Sequence, residues 1–304
     1  MTLNFETFDV FTRVRFTGNP LAIVHDPDET LNSEQMQAIA REFNLSETVF
    51  ILPSLNPVHT AKVRIFTPST ELPFAGHPTI GTAIALAEKR LGEVDASTDM
   101  IVVLEEGVGP VRLAVTLRPD RPGKAIFDVP KKPGAAPGAL DRDNIAAALG
   151  ISRHHIGFEN HKPTRYSCGV PFTYVPVAGL DEIADIQIDR SAWDAAFGQD
   201  EHAAAFVYCR ETAHAKSSFH ARMFAPAMGV DEDPATGAAT AAFAGAIAEF
   251  DRPVDGNTRL IIEQGIEFGR PSQITLEIDM EGGEIDAVRI GGYAVKVSSG
   301  TLSV

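Results

Sequence analysis

The hydrophobic pattern changes period several times along this chain, and the changes mark its elements. SEQMQAIAREFN, Ser33 to Asn44, has the apolar spacing of an amphipathic helix, with a cap at Asn32 or Ser33. TIGTAIALAEKRLG (Thr79 to Gly92) and TGAATAAFAGAIAEF (Thr236 to Phe250) are instead apolar around most of their circumference. A helix with no polar face belongs inside a core. Between them run short apolar or alternating segments that read as strands: KVRIFT, MIVVLEE, VRLAVTL, FTYVPVA, AAFVYCR, RLIIEQG, QITLEID and YAVKVSS.

The pattern also repeats. Arg64, Phe66 and Pro68 form R-x-F-x-P, and so do Arg222, Phe224 and Pro226. Each motif continues through a short loop with an acidic residue, then a Gly/Pro/Thr turn, then one of the two apolar helices. Upstream, DRDNIAAALG from Asp141 reads as the counterpart of the Ser33 helix, and FTGNPLAIVHD and AIFDVPKK both read as strand-rich openings. The order of elements implies two similar halves. RPDRPG, Arg118 to Gly123, reads as the linker. The expected division is residues 1–117, joined by a C-terminal strand at about 292–304, and residues 118–291. Each half is expected to be a barrel-like mixed sheet wrapped around one central buried helix, an α+β fold. An ordinary α/β layered domain is the alternative.

Composition adds boundaries to this picture. At 304 residues and 44% hydrophobic content the chain can build ample core. No apolar run approaches the ~20 residues of a membrane span. The N-terminal MTLNFETFDVFTRV lacks the charged-then-apolar pattern of a leader, so a soluble cytoplasmic protein is expected. A formal net charge of −15 disfavours nucleic acid as a partner. The two cysteines, Cys168 and Cys209, make no metal cage by themselves, and no histidine, the His154-His155 pair included, has metal-ligand spacing. No glycine cluster makes a nucleotide loop.

The candidate chemistry sits where the buried helices begin. The first N–H groups of a helix lack internal partners and carry the positive end of its dipole, which suits a carboxylate. Gly76-His77-Pro78 precedes one buried helix and Asp233 to Gly237 the other. Halves facing each other across a pseudo-twofold axis would aim both ends into one cleft. Taken alone, His77 reads as a structural histidine at a helix cap, Asp233 as a capping carboxylate and Glu47 as a solvated strand-start residue. Asn19 in Gly-Asn-Pro reads first as turn chemistry and second as a substrate contact. Gly265, Arg270 and Ser272 read as a hairpin, with Arg270 as an alternative carboxylate partner. Cys168 reads as a buried thiol or, with no evident base beside it, a nucleophile.

The blocks DVFTRVRFTGNPLAIV, AREFNLSETVFI, VRIFTPSTELPFAGHPTIGTA, EDPATGAAT and EQGIEFGRPSQI strongly resemble the PhzF family of phenazine-biosynthesis-like proteins. They run in family order from Asp9 to about Ile274. The resemblance implies the diaminopimelate-epimerase-like fold, with an active site between two pseudo-symmetric halves, and a homodimer. It also implies cofactor-free isomerisation of the trans-2,3-dihydro-3-hydroxyanthranilate type. It places the general acid/base on Glu47, supporting groups on His77 and Asp233, and backbone donors on Gly76, His77, Gly237 and Ala238. The family residue after T-G is Ser, whereas this chain has Ala238, which keeps the N–H and loses the hydroxyl. Neither loop carries the cysteines of the true epimerases of this fold, so a two-thiol mechanism is unavailable. The expected function is proton transfer between carbons of a small carboxylated, cyclic or unsaturated substrate, with no cofactor and no metal. The alternative is a non-catalytic small-acid-binding or partner-binding protein on the same scaffold.

Overall fold

The computed structural model describes residues 2–200 and 202–304. The chain divides into two compact units, Met1–Asp128 with Gly291–Val304, and Val129–Ile290. The long strand Glu284–Ser303 begins in the second unit and ends in the first.

In the first unit the sheet closes on itself. Thr2–Val10 pairs antiparallel with Asn19–His25, which lies parallel to Glu47–Leu52. Glu47–Leu52 pairs antiparallel with Ala61–Phe66, itself parallel to Thr98–Glu106. Gly109–Arg118 and Arg121–Asp128 follow as antiparallel neighbours. Arg121–Asp128 then pairs with the C-terminal strand, which returns to Thr2–Val10 with Val10 opposite Ala294. Closure removes the free edges an open sheet would present. The stretch RPDRPG, read from sequence as a linker, is the tight turn between Gly109–Arg118 and Arg121–Asp128 and its start, inside the first unit. Gly123 approaches Ile84 of the central helix so closely that a Cβ would lie 2.6 Å from it, which explains the glycine without any linker role.

Helix Gly76–Leu91 fills this barrel. Eleven of its residues are buried, from Gly76 to Ala87. Small side chains are required there because the strands come close. A Cβ on Gly81 would stand 2.6 Å from Leu21. The helix starts three residues earlier than the apolar pattern predicts, so His77 and Pro78 lie in its first turn rather than before it. Proline is tolerated there because the N–H it lacks has no intrahelical partner in any case. Outside the barrel, helix Ser33–Phe43 covers Val24, Phe50, Leu52 and Phe66 through Met36 and Ala40. Asn32 caps it. Its side chain accepts from the Gln35 N–H while the Gln35 side chain accepts from the Asn32 N–H, a capping box.

The second unit repeats the plan. Pro171–Pro176 lies parallel to Ala205–Cys209, which pairs antiparallel with Phe219–Ala225, itself parallel to Gly256–Gln264 and followed by Ser272–Glu281. Helix Gly237–Phe250 is the central helix. Here the inner surface is aromatic. Phe243 packs against Tyr174, Phe206, Tyr208 and Phe219, and the Tyr174 hydroxyl donates to the Ala239 carbonyl at 2.7 Å. Such ring pairs add about 0.5–1.5 kcal/mol each beyond the area they bury. Gly245 faces the Tyr166 ring, with no room for a Cβ.

The outer layer differs between the units. In the first, one helix lies in the chain between the parallel strands Asn19–His25 and Glu47–Leu52. In the second, the corresponding connection holds Leu180–Ala184 and Arg190–Phe197. The Asp141 segment forms helix Arg142–Leu149, but it precedes both parallel strands, so it is not the positional counterpart of Ser33–Phe43. It packs with Arg190–Phe197 over Val175, Val207 and Phe224, the counterparts of Val24, Phe50 and Phe66 under Ser33–Phe43, so the second unit adds a helix to a layer both units share.

Candidate active site

Three neighbouring segments of the first barrel bring Asn19, Glu47 and His77 together. Asn19 opens its strand opposite Val10, and Glu47 opens the next strand, opposite Leu21. His77 is the second residue of the central helix. Gly18, with φ +71 and no space for a Cβ beside the Val10 carbonyl, makes the turn before Asn19. The turn chemistry therefore belongs to Gly18, and Asn19 is a fully buried strand residue.

His77 Nε2 stands 3.2 Å from Glu47 Oε2, with both side chains largely buried. The ring also hydrogen-bonds the main chain of Pro20. Proline has no N–H, so the ring donates to its carbonyl. With Nε2 turned to Glu47, Nδ1 is the donor. Burial pushes the imidazole down to about 3, and the bond to Pro20 offsets only part of that effect. Burial therefore favours the uncharged imidazole, and in that form the bond to Pro20 keeps the proton on Nδ1 and leaves Nε2 facing Glu47. A cation beside Glu47 would weaken it as a base, and a neutral ring does not. A protonated Glu47, in turn, has an acceptor ready in Nε2.

The second unit offers a different set at the matching place. Thr48 lies opposite Phe66 and Ala205 opposite Phe224, so Glu47 corresponds to Ala204. The two central helices begin at Gly76 and Gly237, so His77 corresponds to Ala238. Neither a base nor an imidazole is repeated. Asp233 instead ends strand Val230–Asp233, and its Oδ2 accepts from the Thr236 hydroxyl at 2.6 Å. Asp233 was read as a possible helix cap, but Thr236 is the N-cap, and it has no side-chain cap bond. The turn is held from outside by Gln264. Its Nε2 donates to the Asp233 carbonyl at 2.7 Å and its Oε1 accepts from the Thr236 N–H at 3.0 Å. Gly265, at φ +78, lets the following hairpin pass close under Pro234, and the Arg270 N–H closes that hairpin on the Gly265 carbonyl at 2.9 Å. Ser272 Oγ donates to the Arg270 carbonyl at 3.0 Å.

Other sequence candidates fall away on their surroundings. Burial pushes the Cys168 thiol up to about 12, which leaves no thiolate for a nucleophile at neutral pH. Cys209 is buried and pushed up to about 12 likewise. His154 and His155 lie on an exposed short 3-10 turn. Sequence reasoning missed Gln264 and its counterpart Glu106. The signal was present in the repeat, where Glu105-Glu106-Gly107-Val108 parallels Glu263-Gln264-Gly265-Ile266.

A mixed barrel around a buried helix, built twice, with an acid and an uncharged imidazole at one helix start, defines a protein of the diaminopimelate-epimerase-like fold. The phenazine biosynthesis-like protein family model matches residues 8–300. The chain is 53% identical, over 100% of its length and 99% of the relative, to an uncharacterized isomerase of Mesorhizobium japonicum. It is 35% identical to the trans-2,3-dihydro-3-hydroxyanthranilate isomerase of Pseudomonas fluorescens, covering 98% and 99% of the two chains. A PhzF-family phenazine biosynthesis protein of Bacillus anthracis superposes with a TM-score of 0.87 at 27% identity, covering 100% of both chains. The chain belongs to the PhzF family and is an isomerase.

Proposed function

We propose that the protein moves a proton between carbons of a small carboxylated, cyclic or unsaturated substrate, with Glu47 as the shuttle and no cofactor. The observation that carries this reading is the 3.2 Å contact between Glu47 and a His77 held neutral by burial. With substrate bound, Glu47 in its ionised form takes a proton from carbon. The acid so formed donates to Nε2 of His77, which steadies it without removing its proton. Glu47 then returns the proton to another carbon on the same face of the substrate.

The helix starts supply the anchor. The N–H groups of Gly76 and His77 lie in a first turn, where helical geometry leaves them without intrahelical acceptors. Gly237 and Ala238 occupy the same positions of the second central helix, and Asp233 is fixed beside them by Thr236 and Gln264.

The test is turnover in deuterium oxide. Trans-2,3-dihydro-3-hydroxyanthranilate and a panel of small unsaturated carboxylic acids are incubated with the protein and followed by proton NMR. The expected result is isomerisation of at least one compound, with solvent deuterium at the carbon that gains the proton in part of the product. Tight binding of an acid with no exchange at any carbon would leave the protein a binder and end the proposal.

A further inference from the structure

Glu106, the last residue of strand Thr98–Glu106, is a buried carboxyl that the mechanism above does not use. It reaches the first turn of the central helix. Thr79 Oγ1 lies 2.7 Å from Glu106 Oε1 and 2.7 Å from the Ala75 carbonyl. Two acceptors at that distance need two hydrogens, and a hydroxyl has one. A carbonyl cannot supply the other. With the Thr79 hydrogen on the Ala75 carbonyl, as Thr240 places its own on Thr236, the 2.7 Å contact is left for Glu106 to fill as a donor.

The second unit gives an independent reading of the same position. Gly107 packs against Pro73 as Gly265 packs against Pro234, so Glu106 and Gln264 are equivalent. Thr240 donates to the Thr236 carbonyl as Thr79 donates to that of Ala75. Gln264 is an uncharged amide that donates to the turn before its helix. A protonated Glu106 has the same capacity, and an ionised one does not.

We propose that Glu106 is a proton-bearing strut that fixes the first turn of helix Gly76–Leu91 and so positions His77 against Glu47, and that loss of its proton sets the alkaline limit of catalysis. The catalytic part rests on the isomerase reading. Burial supports it, pushing Glu106 up to about 8. Its Oε2 is buried with no hydrogen-bond partner among the described residues, which makes a charge there costly. The surrounding charges are engaged elsewhere. Arg64 pairs with Glu71, Lys62 with Glu29, and Glu105 holds His59 and the N–H groups of Leu55 and Asn56. Arg112 and Arg118 on the paired strand are exposed, and the first helical turn has no acidic residue. Ionised Glu106 could no longer donate to Thr79, and its only bond there would compete with the Ala75 carbonyl for the Thr79 hydrogen.

Infrared spectroscopy and a pH profile test this together on the full chain. At pH 7 the wild type is expected to show the carbonyl stretch of a protonated carboxylic acid that Glu106→Gln lacks. Wild-type kcat is expected to fall tenfold per pH unit above about 8. Glu106→Gln is expected to keep near-wild-type kcat at pH 7 and to lose that alkaline limb, an outcome a merely structural role would not give. An unchanged alkaline limb in Glu106→Gln, or no acid band in the wild type, overturns the proposal. The infrared arm needs no substrate, so it decides the proton's location even if the isomerase reading fails. If Glu106→Gln does not fold, Thr79→Ala removes the acceptor and must shift the acid band. An unmoved band is contrary.

Discussion

Glu47→Gln is expected to lower kcat by about 10²–10⁴-fold, the usual contribution of a positioned general acid or base. The amide keeps the size of the carboxyl, and its NH2 can donate to the bare Nε2 of His77, so the local structure has no reason to change. What it cannot do is accept a proton from carbon. Substrate affinity should change far less than kcat, because the proposed anchor is main-chain N–H at the start of helix Gly76–Leu91. Steady-state kinetics on the substrate found in deuterium oxide, with thermal melting as a folding control, measure this. Solvent deuterium should also vanish from the product formed by the variant. A Glu47→Gln protein that isomerises at the wild-type rate would remove Glu47 from the chemistry.

The second large effect concerns stability. His220 is buried between two carboxylates, with Nδ1 2.9 Å from Glu263 and Nε2 2.9 Å from Glu267. Burial opposes its charge, but the two bonds win and push it up to about 9. Glu263 also accepts from the N–H groups of Ala213 and His214, so the imidazolium ties that loop and the Glu267 hairpin to one strand. The same hairpin is packed under Pro234 through Gly265. His220→Leu leaves two buried carboxylates facing each other and is expected to cost about 3–5 kcal/mol. That corresponds to a fall in melting midpoint on the order of 10 °C. The sign with pH follows from the raised value. The contribution of His220 is complete below its ordinary 6.5 and fades as pH rises through about 9. Urea unfolding should therefore separate the two proteins widely at pH 6.5 and less at pH 9.5. Equal stability at pH 6.5 would contradict the clamp.

Much of this architecture was legible in the sequence because burial leaves a strong imprint. Helices apolar on every side, preceded by the same R-x-F-x-P strand, could only be core elements, and both are. The pattern was blind where a residue's role comes from its neighbours. His77 and Pro78 read as a preceding loop because proline suggests a break, whereas a first turn accepts it. Arg118 to Gly123 read as a linker from its composition, although such residues suit a hairpin turn equally well. The Asp141 helix was matched to the wrong partner because amphipathic surface helices look alike in any connection.

At the site, residue types were readable and their protonation was not. Nothing in A-G-H-P says that the imidazole is stripped of charge, since this depends on the barrel wall and on the carbonyl of Pro20. Nor does E-E-G distinguish the buried Glu106 from Glu105, which binds His59 and exposed loop N–H groups. The likeness of E-E-G to E-Q-G carried that information, but only the two helix starts show what it is for.

Nitrogen-15 NMR of His77 in the folded protein tests the core of the account. Its folded value of about 3 lies below the ordinary 6.5, so neutral His77 costs stability as pH falls from 6.5 towards 3, at about 1.4 kcal/mol per pH unit. Throughout pH 8 to 4.5 the spectrum should show one uncharged tautomer, protonated at Nδ1 and bare at Nε2. A titration centred near 6.5, or a proton resident on Nε2, would mean that Glu47 faces a cation or a donor, and the shuttle described here would not operate.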